Sequence, residues 1–138
     1  MLFMSSSQII NQRQTKYCLA IEETLKNLHH ATNLELLLDL RKLYPSLSIT
    51  TVHRATQRLA LRHKIAFAPL AIDGSTRYDA NLKPHDHFMC SACGLLKDVE
   101  IKDQLKLILN PLIKDCQVSG RLTISGICNN CQKGGNNE

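Results

Sequence analysis

The sequence predicts an α+β protein: an N-terminal winged helix-turn-helix domain, then a small C-terminal α/β domain stapled by four cysteines. Three observations predict it. Two helical patterns separated by a short turn, the second with a basic stripe, run into a hairpin pattern. The same region contains no acidic residue between Leu40 and Ile72. Two Cys-x-x-Cys pairs, Cys90/Cys93 and Cys128/Cys131, bracket the C-terminal part.

A chain of 138 residues has room for one ordinary domain or two small ones sharing a hinge. Hydrophobic residues make up 43%, but aromatics only 4% with no Trp, so Leu, Ile, Val and Ala must build the core. No apolar run approaches the roughly 18–20 residues of a membrane span. Met1–Met4 is too short for the apolar region of a signal peptide. A soluble, cytoplasmic protein with no membrane partner is expected. In a reducing compartment the paired cysteines read as zinc ligands rather than a disulfide framework. Cys18 and Cys116 are expected as core thiols. Charge is uneven: residues 1–79 hold ten Lys/Arg against six Asp/Glu, residues 80–138 seven against six. The acid-free block holds Arg41, Lys42, Arg54, Arg58, Arg62 and Lys64 with His53 and His63, which points to a polyanionic partner such as nucleic acid.

Residues 1–7 are expected to be disordered. From Gln8 to Leu28, Cys18, Ile21, Leu25 and Leu28 recur on one helical face. Thr32 and Glu35 form a capping box that starts a second helix, packed by Leu34, Leu37, Leu38 and Leu40 and ended near Tyr44 by Pro45. After the turn Ser46-Leu47-Ser48, Ser48 caps a third helix from Ile49 to about His63. Its apolar face is Val52, Ala55 and Leu59. Arg54, Arg58 and Arg62 follow at i+4 steps on another face, with Thr50, Thr51, His53 and Gln57 beside them. A helix of this kind reads the major groove. Lys64–Ala71 and Ser75–Asp79, around Asp73-Gly74, are the strands of a wing. The DNA-binding domain therefore covers 1–80, Asn81-Leu82-Lys83-Pro84 is a hinge, and the second domain covers 85–138. In the second domain, His87–Cys90 and Leu95–Val99 are read as strands, Ile101, Leu105 and Ile108 as a helix ended by Pro111, and Cys116–Ser119 with Leu122–Ile127 as another hairpin. Residues 132–138 read as a frayed tail.

Two Cys-x-x-Cys turns supply four thiolates, the ligand set of a closed tetrahedral zinc site with no open position for catalysis. The alternative is a pair of redox dithiols. The 34 residues between Cys93 and Cys128 make the site a staple joining the ends of a domain. Such binding supplies about 10–16 kcal/mol of apparent folding energy in small zinc modules. His85-Asp86-His87-Phe88-Met89-Cys90-Ser91-Ala92-Cys93-Gly94 also holds harder donors, so it is either one mixed site or the junction of two. His85 and His87 alternate along a strand and share a face. Asp79, Asp98 and His30 are candidates to complete their site, a borderline-to-hard set suited to Fe2+, Mn2+, Zn2+ or Ni2+.

These motifs resemble the Fur family of metal-dependent bacterial repressors, which includes the peroxide regulator PerR and the zinc regulator Zur. The resemblance runs from about His30 to Cys131. It is carried by His30-Ala31-Thr32, Pro45–Arg54, Gly74-Ser75-Thr76-Arg77-Tyr78-Asp79, His85–Gly94 and Gly126–Cys131. It implies a homodimer: the winged helix binds operator DNA, and the zinc-stapled domain is the dimerisation domain. It implies a regulatory metal, Fe2+ or Mn2+ with Zn2+ or Ni2+ as alternatives, on His30, Asp79, His85, His87 and Asp98. It implies a structural Zn2+ on Cys90, Cys93, Cys128 and Cys131.

In that setting Thr51, His53 and Arg54 are expected at base edges, and Arg58, Arg62 and Lys64 on phosphates. Iron-uptake regulators of the family have Glu at the positions of Asp79 and Asp98, while PerR-like members have Asp. The resemblance thus implies peroxide or iron/manganese sensing, with Fur-like iron uptake or Zur-like zinc uptake as alternatives. In PerR-like members with Fe2+, peroxide oxidation of a ligand histidine would release the DNA. A further metal site of some members would need His where Pro84 stands and another near Gly120-Arg121, so none is expected, and Asp86 is expected to be a solvated carboxylate. The family's usual Tyr is replaced by His53. Arg13 and Lys16 only approximate its usual Gln-Arg in the first helix. A mononuclear metallohydrolase is a distant alternative, but no general base or oxyanion donors accompany the histidines, so neither an enzyme nor a small-molecule substrate is expected. A zinc-bound protein adaptor would leave the helix-turn-helix idle.

Overall fold

In the computed structural model, residues 5–135 are described, with backbone alone for 6–15 and 135. The expected disorder of residues 1–7 and fraying of 132–138 lie outside the described residues at positions 1–4 and 136–138, as does the side chain of Arg13. Where those stretches are described they are helical: α1 spans Ser6–Leu28 and α5 spans Asn129–Gly135. The chain divides into two units, one running to Leu70 and including Gly74–Leu82, the other Ala71–Asp73 with the chain from Lys83 onward.

The first unit contains α1, β1 (His30–Thr32), α2 (Asn33–Leu40), α3 (Ile49–Leu61), β2 (Ala66–Ala68) and β3 (Arg77–Asp79). Thr32 starts α2 with the expected capping box: its Oγ1 accepts the Glu35 N–H at 3.2 Å while Glu35 reaches back to the Thr32 N–H. Ser48 starts α3 in the same way, accepting the Thr51 N–H at 3.2 Å. α3 buries Val52, Ala55 and Leu59, the face read from periodicity, together with Thr56. It ends at Leu61 rather than His63, because His63 takes a left-handed φ of 56°.

Two expectations for the helices need correction. On α2 the buried stripe is Asn33, Leu36, Leu37 and Leu40, while Leu34 and Leu38 face solvent. The i, i+3, i+4, i+7 spacing of the first set is one face, and Leu34/Leu38 lie on the next. Leu28 is also largely outside the core, because His29 at φ 68° turns the chain out of α1. The core of this unit joins Ile21 and Leu25 of α1 to α2, α3, Ile65 and Tyr78.

The residues just before the capped helix, His30–Thr32, form the strand β1. It pairs antiparallel with β3, in the order β1-β3-β2, with His30 opposite Asp79. β2 and β3 form the expected wing, shortened to three residues each, with Gly74 at φ 84° in the loop between them.

In the second unit β4 (Asp86–Cys90) is the middle strand, flanked by β5 (Leu96–Val99) and β6 (Thr123–Gly126). β5 pairs antiparallel, setting His87 opposite Asp98. The expected second hairpin is absent: β6 pairs parallel to β4, with Cys90 opposite Gly126. A parallel neighbour requires a crossover, which α4 (Lys102–Leu112) and the following loop provide. Cys116–Ser119 is not a strand; the Val118 N–H is taken by the Asn110 side chain at 2.9 Å. Pro111 sits inside the last turn of α4 rather than beyond it.

Asp86 is the sharpest departure, being 4% exposed rather than solvated. Its carboxylate accepts the N–H groups of Ile101 at 3.1 Å, Lys102 at 2.8 Å and Leu122 at 3.0 Å. Burial pushes the carboxyl upward, but those three donors and the Lys102 charge outweigh it and hold the group below its ordinary range. Asp86 thereby caps α4, whose own Ile101 offers no capping side chain, and ties β4 to the start of β6. Replacing Asp86 with Ala should destabilise the second unit by about 3 kcal/mol by stranding three donors. Urea unfolding measures this, and an unchanged midpoint would show the clamp to be dispensable.

Candidate metal centres and nucleic-acid interface

Cys90 ends β4 and Cys93 follows in the turn that Gly94 completes at φ 80°. Cys128 precedes α5 and Cys131 lies in its first turn. Gly126 lets β6 approach closely, since a Cβ there would stand 2.9 Å from the Phe88 ring. The four sulfurs lie within 4.8 Å of one another, and none is in a disulfide. Cys93 and Cys128 Sγ are 3.8 Å apart, close to the edge of a tetrahedron with zinc–sulfur bonds of about 2.3 Å.

Crowding sets these thiols against one another. The Cys128 and Cys93 N–H groups, at 3.4 and 3.5 Å from Cys90 Sγ, pull the Cys90 thiol down to about 6 against its burial. The neighbouring sulfurs of Cys128, Cys93 and Cys90 push Cys131 up to about 12. At Cys93 the Leu95 N–H favours the thiolate, but the Cys90 sulfur and burial move it upward on balance. One thiolate is stabilised and further ionisation is opposed, a repulsion that a bound cation would relieve. The residues fit a structural zinc.

The harder donors fall in each unit separately. In the first, His30 Nε2 lies 3.4 Å from Asp79 Oδ2, while Asp79 Oδ1 accepts the Asn81 N–H at 2.8 Å. That backbone bond fixes the carboxylate and directs its second oxygen at the imidazole. In the second unit, Asp98 Oδ1 lies 3.3 Å from Nε2 of both His85 and His87. The two rings are 4.4 Å apart and both are buried, whereas Asp98 is half exposed at 43%. His85 Nδ1 donates to the Lys83 carbonyl at 2.6 Å, so its Nε2 is the nitrogen that can ligate. Two imidazoles and a carboxylate within 4.8 Å form a donor set that a divalent cation suits.

The basic helix is only partly as expected. His53 and Arg54 are exposed on α3, and Thr51 also bonds Ser48 Oγ at 3.0 Å, so it shares in the cap. Arg58 and Arg62 lie near Cys18 on α1; burial raises that thiol while the two guanidinium charges pull the other way. Arg62 is the C-cap and Lys64 lies beyond the helix. Cys18 is half-buried against the core, but Cys116 is exposed and is not a core thiol. Sequence reasoning missed Asn33, which bonds both His53 and Thr56. A buried Asn beside a capping Thr was the available signal.

A winged helix joined to a cysteine-stapled α/β unit, with histidine and aspartate donors in both, defines a metal-binding regulator of the helix-turn-helix class. The chain belongs to the ferric uptake regulator family, whose sequence model matches residues 9–118. Members of this family regulate transcription and are not enzymes. Two relatives are the peroxide-responsive repressor PerR of Staphylococcus epidermidis and the ferric uptake regulation protein of Campylobacter upsaliensis. The first is 26% identical over 112 residues, covering 78% of this chain and 72% of that protein. The second is 29% identical over 135 residues, covering 90% and 85%. The crystal structure of the Campylobacter jejuni peroxide stress regulator shares the fold, with a TM-score of 0.68 and 24% identity over 93% of this chain and all of that one. Among the described residues no helix is long and apolar enough to cross a membrane.

If the four cysteines hold an ion, replacing Cys128 with Ser should lower the bound metal by one ion per chain and unfold the second unit. Metal analysis with circular dichroism checks this; a cooperatively folding variant without the ion would show that the staple is unnecessary.

Proposed function

We propose that the chain is a metal-gated repressor that binds operator DNA as a homodimer, with PerR-like sensing of peroxide through iron or manganese. The observation that carries the gating is the division of hard donors between the units: His30 and Asp79 on the winged-helix side, His85, His87 and Asp98 on the cysteine-stapled side. Two donors are too few for a stable site and three leave one open. Serving one exchangeable ion, the five residues couple the orientation of the DNA-binding unit to metal occupancy. In a dimer that coupling sets the spacing of two α3 helices, which must meet major grooves about 34 Å apart. Metal then acts as a ligand that favours the DNA-competent conformation.

Thr51, His53 and Arg54 would contact base edges and Arg58, Arg62 and Lys64 phosphates. Self-association is supported by α4, which exposes Leu107, Ile108 and Leu112 and buries nothing within its own chain. The four cysteines would hold structural Zn2+. Fe2+ or Mn2+ suits the mixed imidazole–carboxylate set, and Zn2+ or Ni2+ could also be held. Ferrous iron there would supply the redox chemistry toward peroxide. Asp79 and Asp98, rather than Glu, favour the PerR-like reading. The longer match to a ferric uptake regulation protein favours Fur-like iron-uptake control as the second reading.

His30→Ala should keep the fold and the dimer but lose metal-dependent operator binding by at least tenfold. Gel shifts with and without chelator, paired with light scattering, measure this; metal-dependent binding equal to wild type would sink the gating scheme. Loss of binding after peroxide with iron but not with manganese would separate peroxide sensing from iron-uptake control.

A further inference from the structure

His53 stands on the exposed side of α3, but its chemistry is set from another element. Its Nδ1 lies 2.9 Å from Nδ2 of Asn33, the first residue of α2. Asn33 is buried, and its Oδ1 accepts the hydroxyl of Thr56 at 2.8 Å. Thr56 is fully buried and lies one turn along α3 from His53. The hydroxyl carries one proton and has three acceptors in reach: Asn33 Oδ1, the Val52 carbonyl at 3.0 Å and the His53 carbonyl at 3.1 Å. The shortest contact gives the proton to Asn33, which turns the amide nitrogen toward the imidazole. An amide N–H only donates, so His53 Nδ1 accepts and the ring proton resides on Nε2. With the hydroxyl bonded to Val52 instead, the amide would turn over, and Nε2 would become a bare acceptor.

We infer that Asn33 is a positioning residue that makes His53 a hydrogen-bond donor toward DNA, so that His53 reads guanine in the major groove. This rests on the DNA-binding reading above and names what one position of the helix recognises. Guanine offers two acceptors, N7 and O6, and no donor; adenine sets a donor beside its acceptor, thymine a methyl group, and cytosine offers only a donor. An Nε2–H held in one orientation therefore favours guanine and rejects cytosine. His53 also lies in the N-terminal half of α3 beside Arg54, where recognition helices meet base edges. Fixing the ring before binding removes the rotamer entropy that an unsupported imidazole would lose on the DNA.

The test uses the zinc-loaded full chain with isotope-labelled histidine, at a pH well above the imidazole titration range. Long-range proton–nitrogen NMR should find His53 as the Nε2–H tautomer in wild type and as a mixture in Asn33→Ala and Thr56→Val. Selection from a randomised duplex pool, with Mn2+ added as the regulatory ion, should then show one guanine per half-site that depends on His53, with discrimination falling roughly tenfold in both variants. Thr56→Val keeps the test intact if Asn33→Ala fails to fold. An Nδ1–H tautomer in wild type overturns the inference, as does unchanged base preference in a folded variant. Wild type that selects no duplex overturns the DNA-binding reading and, with it, the base assignment, whatever the tautomer.

Discussion

Cys90 is where the second unit is held together. It ends the middle strand, its sulfur takes two backbone N–H groups, and among the described residues it is the unit's one buried hydrophobic-class side chain. A three-stranded sheet with the short α5 and an α4 that has no buried residue cannot exclude enough apolar surface to be stable alone. The four sulfurs converge where that cohesion is missing, and under the proposed reading a bound ion would supply it. Asp86, at the other end of the same strand, solves the same problem differently: its buried negative charge is satisfied by three backbone donors and needs no ion. β4 is thus anchored at both ends by anions.

The first unit is built the other way round, on a continuous Leu/Ile/Val core with a few polar links across it. Yet both units prepare their hard donors by the same device, strand register. His30 faces Asp79 because β1 and β3 pair at that residue, and His87 faces Asp98 because β4 and β5 do. A slip of one residue in either ladder would send the donors to opposite faces. The pairing of these donors therefore depends on backbone hydrogen bonds in which no donor side chain takes part.

Much was legible in the sequence because its signals are local. Two Cys-x-x-Cys spacings, a Thr–Glu capping box, a Ser cap and the Val52–Ala55–Leu59 stripe each declare themselves within a single turn or helix. The wing followed from Asp73-Gly74 between two β-rich runs. The lapses are of another kind. A one-residue shift in the stripe chosen on α2 came from counting apolar residues without fixing the face that Asn33 begins.

By itself, then, the sequence determined the fold class, and it offered the candidate donors and the basic helix, since residue type and short spacing decide those. Tertiary structure alone decided the rest. β6 runs parallel to β4 because α4 crosses over between them; β1 becomes a strand because β3 is there to pair with it. Asp86 is buried because donors 15 and 36 positions away converge on it, and His53 is oriented by an asparagine 20 positions earlier. No local periodicity encodes partners at such separations, which exist only once the backbone has closed around them.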